Sequence, residues 1–210
     1  MIKIDHFELF PEFGTNTWLL WDDNSKDALL VDPAAASSDL LKHIRDLQLS
    51  VKYIVNTHGH GDHIGGNAFF RKELGAQVLI HSADAQLLTD NRRNFSEYMG
   101  IPLNCGKADI LAEDGQLLTL GKEEVRVIHT PGHTPGGICL LAGNFLISGD
   151  TLFEQSIGRT DFPGGNHAQI IASIKNKLFV LPDETVVYPG HGPRTSIGLE
   201  KKNNPFVRSV

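Results

Sequence analysis

The chain has 210 residues, 40% apolar and 21% charged, a globular composition that excludes a disordered chain and suits one substantial core spanning residues 1–210. A formal charge of -6 with no basic tract argues against a nucleic-acid binder, and two cysteines, Cys105 and Cys139, are too few for a disulfide scaffold, which suits the cytoplasm. No apolar run approaches the roughly 20 residues that cross a bilayer, and the start lacks the pattern of an export signal, so no membrane partner is expected.

Residues 2 to 8 alternate with period two and predict a first strand before the Pro11/Gly14 turn. Asn16-Thr17-Trp18-Leu19-Leu20-Trp21 and Ala28-Leu29-Leu30-Val31 predict two more, an antiparallel meander that Asp32-Pro33 ends. Asp32 reads either as an Asx turn before a helix or as an acid that orients a metal ligand from behind. Leu40, Leu41, Ile44 and Leu47 follow helical spacing and predict a helix over 38–47. A buried strand over 51–55 follows. Ile64 to Leu74 predicts a helix stopped by Gly75, its N-terminal dipole close to the preceding histidines. Gln77 to Ile80 predicts a strand, and Ser82 a cap for a short helix over 85–88. Residues 89 to 107 lose their period and read as a loop with substrate contacts.

In the second half Ile110-Leu111 and Gln116 to Leu120 flank the Asp114-Gly115 turn as short strands. Glu124 to His129, Ile138 to Leu141, Phe145 to Ser148 and Thr185 to Tyr188 predict further strands, with Cys139 in the core. His167 to Leu178 and Ile197 to Asn203 predict helices. Strands and helices in each half, without a dinucleotide-binding glycine fingerprint, predict two sheets faced by helices on their outer sides.

Thr57-His58-Gly59-His60-Gly61-Asp62-His63 gathers three imidazoles and a carboxylate directly after a buried strand. Imidazole and carboxylate suit zinc and the harder first-row metals, and neither cysteine lies nearby to make a soft site. Three later segments also end apolar strands with metal-competent residues: Gly132-His133-Thr134, Gly149-Asp150-Thr151 and Gly190-His191-Gly192. One shared polynuclear site explains all four.

In this order His58, His60, Asp62, His63, His133, Asp150 and His191 resemble the ligand set of the metallo-beta-lactamase superfamily, over essentially the whole chain. The resemblance implies an α+β fold, a four-layer αβ/βα sandwich of two mixed sheets with helices on both outer sides. It makes His58, His60 and His133 the ligands of a first metal, Asp62, His63 and His191 those of a second, and Asp150 the bridge. The catalytic carboxylates are then Asp62 and Asp150, and the cofactors two divalent ions, zinc ahead of iron or manganese.

Gly158-Arg159-Thr160-Asp161-Phe162, led by Ser156-Ile157 and followed by Pro163-Gly164-Gly165 and Asn204-Pro205-Phe206, is similar to the short bacterial type of the glyoxalase II (hydroxyacylglutathione hydrolase) branch. Arg159 and Asp161 are expected to brace the segment carrying Asp150, with direct contact to the substrate as the alternative. The activity implied is hydrolysis of a small-molecule acyl thioester, such as S-2-hydroxyacylglutathione, by attack of a metal-bridging hydroxide. Full-length glyoxalase II carries a further helical region, whereas 19 residues follow His191 here, which leaves the glutathione carrier open. Arg93, Tyr98, Lys107 and Lys202 are candidate anchors for it. The same loop signature occurs in persulfide dioxygenases, which hold one iron on the positions of His58, His133 and Asp150, and it points away from beta-lactamases. A non-catalytic metal-binding protein is a further alternative.

Overall fold

Strands that are apolar on both faces must be covered on both sides, and this chain has two sets of them. The computed structural model describes residues 1–207. The first sheet runs in spatial order through β1 (Ile2–Phe10), β2 (Thr15–Asp22), β3 (Asp27–Val31), β4 (Ser50–Val55), β5 (Gln77–His81) and β6 (Ile110–Ala112). β1 to β3 form the expected antiparallel meander; β3 to β6 run parallel. The second half supplies β7 (Leu117–Leu120), β8 (Glu123–His129), β9 (Ile138–Ala142), β10 (Phe145–Gly149), a small hairpin of β11 (Leu152–Phe153) and β12 (Ser156–Ile157), then β13 (Val186–Pro189) and β14 (Thr195–Ser196). The hairpin apart, these make a second mixed sheet in the order β14-β13-β10-β9-β8-β7.

Alternation along the strands sorts side chains between layers. Leu20, Leu29, Val31, Val55 and Leu79 face the second sheet and meet Val125, Val127, Leu140 and Ile147. Their neighbours Leu19, Leu30, Ile54, Val78 and Ile80 face outward onto Leu40 and Ile44 of helix α1 (Ser38–Asp46), and onto Phe70. Cys139, Leu146 and Val187 face outward onto Ile170, Ile174, Leu178 and Ile197. The molecule is therefore the four-layer sandwich of helix, sheet, sheet and helix. Phe70 is fully buried, and its truncation to alanine would cost about 3–5 kcal/mol. Both thiols are buried as free cysteines, and burial pushes Cys105 up to about 12 and Cys139 to about 11, which leaves them inert near neutral pH.

Several local expectations change. The helix expected over 64–74 is broken into α2 (Gly61–Ile64) and α3 (Asn67–Leu74). Gly65 and Gly66 pass against Pro33 to Ala35 so closely that a Cβ on Gly65 would lie 2.3 Å from the Ala34 carbonyl oxygen, and Gly66 N–H donates to Pro33 O at 2.7 Å. Asp62 and His63 thus sit inside the first turn. The N–H of Gly61 is taken by the Asn94 carbonyl at 2.7 Å, so it offers nothing to an anion. The short helix after β5 is a 3-10 helix over 82–89, preceded by His81, whose Nδ1 accepts from Ala83 N–H, in place of the Ser82 cap. The Asp114-Gly115 turn does not close a hairpin: β6 lies in the first sheet and β7 in the second, so the turn carries the chain between layers. The helix over 167–178 divides into α4 (His167–Ser173) and a π-helical turn over 174–178, and α5 (Ile197–Asn203) has the expected bounds.

Parallel and antiparallel pairing together place the site. β8 and β10 point the same way, being both antiparallel to β9, and β13 is parallel to β10. Their ends therefore emerge at one edge. The Thr15–His191 bridge and the Ile138 N–H to Thr57 O bond of 2.8 Å bring the end of β4 to that edge.

Candidate metal centre

The loops after β4, β8, β10 and β13 converge, and all seven expected ligand residues meet there. His60 Nδ1 stands 3.1 Å from His58 Nε2 and 3.0 Å from His133 Nε2. Four ligands at the usual zinc–nitrogen distance stand about 3.3 Å apart at tetrahedral angles, so this spacing suits a single ion. A second triad lies beside it, with His63 Nε2 3.2 Å from His191 Nε2 and Asp62 Oδ2 3.5 Å and 3.3 Å from them. Each of these two groups brings its ligand atoms close enough together to hold a metal ion, as does the overlapping group of Asp32, His58 and His63. Asp150 stands between the first two, Oδ2 3.5 Å from His133 Nε2 and 3.6 Å from His191 Nε2, and Oδ1 3.5 Å from His63 Nε2. Its Oδ1 is buried with no hydrogen-bond partner, a cost that a cation at this point removes. By donor chemistry, spacing and that orphaned oxygen, the residues fit a pair of divalent ions.

The atoms facing away from the centre are held by a surrounding frame. Asp32, buried and at φ +49°, accepts from Thr57 N–H at 2.7 Å and Thr57 Oγ1 at 2.6 Å, and its Oδ2 lies 3.0 Å from His63 Nδ1. Asp32 thus touches the His63 ring on the side away from the centre and also holds Thr57, the residue before His58. His133 Nδ1 bonds the Arg159 carbonyl oxygen at 2.7 Å. Arg159 thus meets the site through its backbone, while its guanidinium pairs with Asp161 at the surface through two bonds of 2.8 Å and 2.6 Å and lies over the Phe162 ring. The pair holds the Asp161 carboxyl down at about 2.

Sequence reasoning missed five contributors. Asp84 accepts from Gly59 and Gly136, Thr15 Oγ1 donates to Asp62 Oδ2 at 3.1 Å, and His191 Nδ1 faces the carbonyls of Phe13 and Gly14. Phe95, at φ +67°, sets its ring against His60 and Phe162. Nothing in the local sequence pattern marks these residues, because each acts across a loop junction.

Electrostatics divides the triads. Burial and the neighbouring imidazoles hold His58 well below its ordinary value, and burial with His133 brings His60 down to about 3. Burial also opposes charge on His63, but Asp62, Asp150 and Asp32 outweigh it and raise His63 to about 10. His191 is raised too, burial being overcome by Asp62 and Asp150. Asp62 lies below the usual carboxylate range, its burial outweighed by His63 and His191.

A cavity of about 450 Å3 opens over the centre, bordered by His60, Asp62, His133, Asp150 and His191 and walled by Phe13, Phe95, Met99, Phe153, Ile157, Arg159 and Phe162. Residues 89 to 107 contribute Phe95 and Met99 to this wall. Of the candidate anchors, Arg93 and Tyr98 line a smaller neighbouring cavity, with Arg93 bonded to Gln86. Lys107 offers its carbonyl to Arg71, and Lys202 lies exposed on α5. Among the described residues no helix is long and apolar enough to cross a membrane.

Known proteins share this arrangement. The chain matches the description Metallo-beta-lactamase superfamily over residues 10–191. It is 34% identical over 210 residues to the hydroxyacylglutathione hydrolase GloC of Haemophilus influenzae, covering 97% of this chain and 99% of that one. The crystal structure of BLEG-1 B3 metallo-beta-lactamase superposes with a TM-score of 0.92 at 38% identity, covering 99% of this chain and 100% of the other. A crystal structure of TTHA1623 in a di-iron-bound form gives 0.84 at 33% identity, covering 96% and 99%. The chain belongs to the metallo-beta-lactamase superfamily.

Proposed function

We propose that this protein is a cytoplasmic, single-domain hydrolase of acyl thioesters of the 2-hydroxyacylglutathione class, working with two divalent ions, zinc foremost. The position of Asp150, its carboxylate within 3.6 Å of imidazoles from both triads and one oxygen left without a hydrogen-bond partner, is the observation that supports this best. His58, His60 and His133 would hold the first ion, Asp62, His63 and His191 the second, and Asp150 both. When bound, such a pair polarises a carbonyl and makes hydroxide available near neutral pH. Thr15 fixes Asp62 Oδ2, so that this carboxylate has one orientation toward the water it would help position. The apolar wall of Phe95, Met99, Phe153 and Phe162 excludes water around the acyl group, which strengthens every charge interaction at the carbonyl. The likeness to GloC supports a glutathione carrier.

Protein purified without oxygen should carry two metal equivalents per chain and release free thiol from an acylglutathione. A single iron per chain with oxygen uptake on glutathione persulfide would replace this reading with the dioxygenase one. The likeness to BLEG-1 favours beta-lactam hydrolysis as a second reading, and a chromogenic beta-lactam in the same panel measures it.

A further inference from the structure

Asp84 belongs to neither triad, yet it is fully buried against loops that carry first-triad histidines, on the 3-10 helix after β5. Its Oδ2 accepts the N–H of Gly59 at 3.2 Å and its Oδ1 the N–H of Gly136 at 2.7 Å. Gly59 separates His58 from His60, and Gly136 follows His133 in the loop after β8. One carboxylate thereby ties a loop of the first sheet to a loop of the second, and both loops carry first-triad histidines. The second triad is held by other groups: Asp32 behind His63, Thr15 on Asp62, and the carbonyls of Phe13 and Gly14 on His191.

The packing leaves no slack in this tie. A Cβ on Gly136 would lie 2.6 Å from Asp84 Cγ, and one on Gly59 would lie 2.4 Å from Leu87 Cβ on the same 3-10 helix. The helix is pressed onto both loops, and only glycine fits at either contact.

We infer that Asp84 is the positioning residue of the first triad, setting the gap between the His58/His60 loop and the His133 loop and so the first site's metal affinity, independently of the second site. This rests on the two-metal reading above. Asparagine has the same shape but one acceptor fewer. Its NH2 group would face one of the two backbone N–H groups, donor against donor, and that loop would move away.

The experiment measures zinc affinity by chelator competition in the full chain. H191A leaves the first triad intact and H58A the second, and each is prepared with and without D84N. D84N should weaken zinc about 10–100-fold in the H191A protein and less than about threefold in the H58A protein, the range seen when a ligand's supporting partner is lost. Equal losses in both backgrounds, or no loss in the first, overturn the proposal. A merely structural role would lower the unfolding midpoint of the metal-free protein and loosen both sites alike. Should D84N fold poorly, G136A displaces the same carboxylate from the other side and must reproduce the selective loss, its absence again overturning the proposal. A wild-type chain that binds one equivalent overturns the two-metal reading and with it the claimed independence of the sites, whereas two equivalents with equal D84N losses overturn the proposal alone.

Discussion

The two triads, one of three imidazoles and one of two imidazoles and a carboxylate, stand in opposite electrostatic settings. In the first, three imidazoles face one another with burial keeping His58 and His60 uncharged. In the second, the carboxylates of Asp62, Asp150 and Asp32 surround His63 and keep it protonated when no metal is present. His58 and His60 offer open lone pairs to a cation at neutral pH, whereas His63 holds a proton in the cation's place. Two adjacent groups of ligands can therefore be tuned separately although one carboxylate, Asp150, stands between them.

Removing the shared carboxylate erases the distinction. D150A should lose both metal equivalents, with turnover falling more than about 10²-fold, the scale for deleting one preorganised electrostatic group. Metal counting and thiol release check the two together, and full activity would remove the bridging role. D32N acts on the two sides unequally. Asparagine tolerates the positive φ at position 32, so the change isolates the loss of the acceptor that faces His63 directly and His58 only through Thr57; second-site affinity should fall about 10–100-fold and first-site affinity by less.

Acidity separates the triads without mutation. Metal must displace a proton from His63, so zinc affinity in H58A should rise about tenfold per pH unit between about pH 6 and 8, and stay nearly flat in H191A. For the metal-free protein the linkage signs are opposite. His60, depressed to about 3 from 6.5, contributes stability that is present above 6.5 and is lost as pH falls toward 3. His63, raised to about 10, contributes stability present below 6.5 and lost as pH rises toward 10. Chelated protein melted across this range should be most stable between the two limits. The smallest effect belongs to D161A. Its partner is at the surface and meets His133 through the backbone, so the metal content should hold while KM alone rises, read by steady-state kinetics.

Much of this arrangement was legible in the linear chain. His58 to His63, His133, Asp150 and His191 each follow an apolar strand, and strand-end ligands are a local pattern. The mixture of strands and helices in each half foretold two sheets faced by helices, since element type is also a local pattern. The helix over 64–74 was misread because its Gly65-Gly66 break depends on contact with Pro33 to Ala35, thirty positions away by fold and not by pattern. The hairpin expected at Asp114-Gly115 failed because a turn signal does not say which sheet receives the next strand.

Residue types and their spacing along the backbone thus sufficed for the inventory of donors and the number of layers, since both come from period and local chemistry. Which imidazole is charged, which carboxylate supports which ligand, and how the loops are spaced depend on Asp32 meeting His63, Asp84 meeting Gly136 and Phe13 meeting His191. The first of these meetings needs β3 and β4 to pair within one sheet, and the other two need the sheets to pack face to face, because burial and mutual distance, the quantities that set each charge, have no value in an extended chain.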